Sequence, residues 1–110
     1  KQFQCAMEIA AWLGEHSLND DVMIYVDGSR YIVDETGKMI LERQCNVHDY
    51  LEYAGDFLSM SFEGPLYDVL NYSFEFPSYE KRERELTNIC KKYNKYWELG
   101  NAWNLTLADI

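Results

Sequence analysis

The chain has 110 residues, 47% of them apolar and 26% charged, with a net charge of −9. That is enough for one domain with one modest core, and it is too apolar for a disordered chain. Residues 1–76 hold fourteen Asp and Glu against four Lys and Arg, and such a field opposes nucleic-acid backbones and anionic membrane surfaces as direct partners.

The first element is a helix over Phe3 to His16. Phe3, Met7, Ala10 and Leu13 follow helical spacing, and Ile9 and Trp12 widen the stripe. Val22 to Val26 follows as a strand, by its β-branched and aromatic content. Asp27-Gly28 is a hairpin turn, Ser29 to Asp34 the returning strand, and Glu35 to Lys38 a second turn into Met39 to Gln44. This three-stranded meander carries apolar residues on both faces. Met23 and Tyr25 are opposite in parity to Val22, Ile24 and Val26, and Ile32 and Ile40 to their own apolar neighbours, so the second face should be covered, by a helix or a second subunit.

Asn46 suits the cap of a short helix over Val47 to Ala54, with Gly55 as its stop. In Phe57 to Phe62, Leu58, Met60 and Phe62 alternate with Ser59 and Ser61, which predicts a strand with one polar face. Gly64-Pro65 breaks it and opens a short helical piece to Asn71. Ser78 is expected to cap a helix running to about Tyr93, with Tyr79, Arg82, Leu86, Ile89, Cys90 and Tyr93 as its inner stripe. The tail from Tyr96 to Leu107 predicts strand. Gly100-Asn101 is either a tight turn or a bulge.

Chemistry-bearing residues are sparse. Cys45, His48 and Glu52 are the best candidate cluster, with the last two at i,i+4 on the expected short helix. Three donors without a fourth fall short of a closed zinc site, and Asp49 and Glu52 work against a thiolate at Cys45. Asp20-Asp21 and Asp34-Glu35 fall in turns, where carboxylates bond nearby backbone N–H groups. No catalytic residue, metal ligand or cofactor is expected. The three cysteines, Cys5, Cys45 and Cys90, are too few and too scattered for a disulfide framework, and predict free thiols in a reducing, cytoplasmic setting. The chain starts at Lys1 rather than Met, which fits a processed form or a fragment.

Aromatic residues are the other conspicuous stock, nine of them Tyr. The run Phe62 to Tyr67, followed by Leu70-Asn71-Tyr72, places an aromatic strand end beside a Gly-Pro break, either as a packed corner or as a recognition rim. That run, with Tyr93, Tyr96, Glu98-Leu99-Gly100, Ala102-Trp103 and Leu105, resembles small acidic proteins of unknown function from gut Firmicutes that are associated with mobile genetic elements. The resemblance covers about the second half of the chain. It implies a bacterial, cytoplasmic protein and no particular site residue.

The expected fold is α+β: an antiparallel sheet of four to six strands, two main helices and one or two short ones. The expected function is a non-enzymatic protein-interaction module, acting on a protein partner or as a homodimer, with Phe62, Tyr67, Tyr72, Tyr25 and Ile40 on the contact surface. Two other functions compete with it. One is an acidic DNA mimic of the anti-restriction kind. The other is a small enzyme whose site is assembled from distant residues.

Overall fold

The computed structural model describes residues 1–110. Its elements in chain order are α1 (Gln2–Glu15), β1 (Val22–Val26), β2 (Ser29–Val33), β3 (Met39–Gln44), a 3-10 turn (Val47–Asp49), β4 (Ser59–Phe62), α2 (Pro65–Asn71), α3 (Pro77–Lys91), β5 (Lys95–Asn101) and β6 (Asn104–Asp109). The six strands form one antiparallel sheet in the order β3-β2-β1-β4-β6-β5. All three helices lie on one face, so the fold is α+β. No helix is long and apolar enough to cross a membrane.

The core sits between that face and the helices. Val22, Ile24 and Val26 of β1, Met60 and Phe62 of β4, and Leu105 and Leu107 of β6 meet Ile9, Leu13, Leu66, Leu86 and Cys90 from the helices in one buried cluster. Alternation along each strand puts these residues on the same side. Phe62 is therefore core, 1% exposed, with its side chain on the helix face.

The buried stripe of α1 is Cys5, Ala6, Ile9, Ala10 and Leu13, joined by Trp12. Phe3 and Met7, expected inside, stay largely exposed. The β2–β3 turn packs tightly against the C-terminal half of the helix. A Cβ on Gly14 would stand 2.3 Å from the Gly37 nitrogen, and one on Gly37 would stand 2.8 Å from the Ala11 Cα. The turn itself is tied by Asp34. Its Oδ1 accepts from the Thr36 and Lys38 backbone N–H groups at 2.9 and 3.0 Å and from the Thr36 hydroxyl at 2.6 Å.

The β1–β2 turn has Asp27 and Gly28 at positive φ, as the Asp-Gly signal requires. In α3 the first residue is Pro77, not a residue capped by Ser78. Proline has no N–H to satisfy at that position, so the side-chain cap is dispensable. The C-terminal hairpin turns at Ala102-Trp103, and its ladder is irregular between Leu99 and Asn101. Gly100 thus sits at a bulge, and the tight turn lies just beyond it.

Candidate functional site

The chain itself covers part of the sheet's second face, with an irregular segment in place of a helix. The expected helix over Val47 to Ala54 is a single 3-10 turn, Val47–Asp49. Asn46 caps it, its Oδ1 accepting from the His48 N–H at 3.0 Å. The remainder of the β3–β4 connection runs as a strap over the sheet. Leu51, Tyr50 and Tyr53 have no regular spacing because each answers to a different point on the sheet beneath.

Tyr50 lies over the β1–β2 side. Its ring centre is 6.1 Å from that of Tyr25, the Arg30 guanidinium stands 4.2 Å from its centroid, and its hydroxyl accepts from Arg43 Nη1 at 3.0 Å. Arg30 is also ion-paired with Glu42, whose carboxyl is held below the usual range chiefly by that hydrogen bond. Leu51 is buried. Tyr53 lies directly on Gly100, where a Cβ would meet the Tyr53 Cβ at 2.2 Å. Further along, the Gly55 N–H donates to Ser59 Oγ at 3.2 Å, and Ser59 Oγ donates to Thr106 Oγ1 at 2.9 Å. Tyr25 is therefore 5% exposed and lies under the strap, not on a free surface.

Beside the strap the face stays open. Met23 pairs with Ile32 and Ile32 with Ile40, so three apolar side chains stand in one row across β1, β2 and the edge strand β3. Ile32 is 37% and Ile40 41% exposed. The row continues through Ser61 and Asn104. Asn104 is buried. Its Nδ2 donates to the Met60 and Leu105 carbonyls at 3.1 and 3.2 Å, and its Oδ1 has no partner.

Over Met23 and Ser61 the row deepens into a groove of about 270 Å³. Tyr50 and Leu51 line it on the strap side, and Asp21, Glu63 and Trp103 on the other. The two residues are brought together by their backbones. Glu63 N–H donates to the Asp21 carbonyl at 3.2 Å. Asp21 sits at φ 58°, a conformation that Asp tolerates better than most residues. Neither carboxylate is paired with a cation of this chain.

The other expected surface residues lie elsewhere. Tyr67 is half-buried on α2 against the core. Tyr72 is exposed at the α2–α3 corner, where Phe74 and Phe76 are exposed with it. The solvent-facing aromatics of that corner thus lie downstream of the Phe62 to Tyr67 run. A Phe-x-Phe spacing just before Pro77 was the available signal. Asp21, Glu63, Tyr50, Leu51 and Trp103 had none, because only the strap and the Asp21–Glu63 contact bring them together.

Cys45 and His48 line a separate, more polar groove of about 430 Å³ between the β1–β2 turn and Asp56. Glu52 is not among its lining residues, and no group of three His, Cys, Asp or Glu side chains is placed to share a metal ion. Cys5 and Cys90 are fully buried between α1 and α3, and burial pushes their thiols up to about 11 and about 12. His16 contacts Arg82 and Glu85, which anchors the end of α1 to α3; Glu85 Oε1 also accepts from Trp12 Nε1 at 3.1 Å. No protein-family model matches the chain, and no curated protein and no solved structure matches it.

Proposed function

We propose that this chain is a non-enzymatic interaction protein that binds another protein through the open part of the sheet's second face. The observation that supports this is the cross-strand row Met23, Ile32, Ile40 beside the groove. Contiguous apolar surface running to an unpaired edge strand is what a docking protein needs and what a solitary one avoids. Of the residues with chemical potential, only Cys45 and His48 share a groove. Two thiols are buried and raised, and His16 is engaged by Arg82 and Glu85. The third thiol, Cys45, shares its groove with His48, Asp27 and Asp56 and with no Lys or Arg. A nucleic-acid mimic would need a row of free carboxylates, whereas Glu8, Asp34 and Glu42 are each engaged within the molecule.

The test is comparative capture. The wild-type chain and the double variant Ile32→Lys, Ile40→Lys are immobilised and exposed to extract of the native host. Both positions are already partly exposed, so the variant should keep its thermal midpoint. A protein retained by the wild type and lost with the variant is the expected result. Equal retention by both, or none by either, would contradict the reading.

A further inference from the structure

From the groove beside Met23 we infer the chemistry of the partner: a polypeptide segment that sets a Lys or Arg next to a large apolar side chain. This rests on the interaction reading above and goes beyond it by naming what is bound. The groove is amphipathic in a definite order. Its floor is Met23 and Ser61, its strap-side wall Tyr50 and Leu51, and its opposite rim Asp21 and Glu63. A volume of about 270 Å³ admits a single large side chain. The apolar part of the guest would lie on Met23 and against Leu51. Its cation would then meet two carboxylates that no cation of this chain neutralises.

Charge decides between occupants. A second copy seated here by a two-fold axis would set Asp21 and Glu63 against their own equivalents, in molecules that each carry −9. An acidic partner meets the same repulsion. A purely apolar guest would leave the paired carboxylates partly desolvated with nothing in return. A basic, apolar segment satisfies both parts of the groove, and rim charges of this kind set partner choice and approach rate.

The test uses three capped hexapeptides and amide chemical shifts of the full chain at low salt. One alternates leucine with lysine, one serine with lysine, and one leucine with glutamate. The leucine–lysine peptide is expected to give saturable shifts confined to Met23, Tyr25, Ile32, Ser61 and Trp103, and the other two none there. The double variant Asp21→Asn, Glu63→Gln should weaken the binding about fivefold, as for two exposed charge contacts. Asn tolerates the left-handed backbone of position 21, so the variant keeps its fold. Equal binding of the serine–lysine peptide, an unchanged affinity in the variant, shifts elsewhere, or no binding at all would each overturn the inference. If all three peptides fail while the capture experiment still finds a partner lost with Ile32→Lys, Ile40→Lys, the interaction reading survives and the partner's chemistry is wrong.

Discussion

Gly14 shows most sharply how a residue's neighbours overrule its intrinsic preference. In a helix, Gly to Ala is ordinarily a gain of about 1 kcal/mol. Here the added Cβ would stand 2.3 Å from the Gly37 nitrogen and 2.7 Å from the Thr36 carbonyl carbon, both backbone atoms that can yield only by moving the whole turn. Gly14→Ala is therefore expected to destabilise, by about 1–3 kcal/mol, measured as a lower urea midpoint. The thiols make a second residue-scale case. Cys5 and Cys90 are buried and raised to about 11 and about 12, whereas Cys45 is only half-buried. Titration of the native protein with an aromatic disulfide reagent near pH 8 should release a single equivalent of thiol, and the other two only on unfolding.

At the scale of elements, the strap between β3 and β4 takes the place of an expected helix. It is held by a buried Leu51 and by Tyr50 stacked among Arg30, Arg43 and Tyr25. Leu51→Ala should cost about 2–4 kcal/mol. It should also speed hydrogen exchange at the Gly55 amide, whose partner is Ser59 Oγ. The β2–β3 turn has a pH signature of its own. Hydrogen bonds to Asp34, the Thr36 hydroxyl foremost, hold its carboxyl below the usual range. A folded-state value lower than the unfolded one means the unfolded chain binds the proton more readily. The contribution is complete above the ordinary carboxylate pKa, about 4, and fades as the pH falls through the lowered folded value. Urea midpoints from pH 7 to pH 3 should fall less steeply below about pH 4 in Asp34→Asn than in the wild type. Identical slopes would remove Asp34 from the account.

Local signals were legible in the sequence wherever chemistry dictates conformation over a few residues. The Asp27-Gly28 turn, Pro65 at the start of α2 and the charged face of α3 are such places. The α1 stripe was ambiguous because apolar residues occur all round that helix. Only the close approach of Gly37 selects the side bearing Ala10 and Gly14. The strap was illegible for a different reason: an irregular segment has no period, and its apolar residues are placed by a sheet distant in sequence. Tyr25 and Ile40 share the second face, as their alternation predicts, but which of them stays open depends on where Tyr50 lands. Phe62 belonged to the opposite face from the start, by the parity that put Met60 in the core.

For the whole molecule, one sheet face is closed by helices and the other is half open with an acidic rim, and the proposed binding depends on that open half. Two adjacent residues of β3 test this directly. Ile40 is 41% exposed on the open face, and Leu41 is 55% exposed beside Tyr31 on the helix side. A photo-activated cross-linking residue is placed at one position or the other, and adducts are counted in the native host. A discrete protein adduct is expected from position 40 and none from position 41, although the latter is the more exposed, with the adduct weakened by Asp21→Asn, Glu63→Gln. Adducts from position 41 alone, equal adducts from both, or none from position 40 would contradict it.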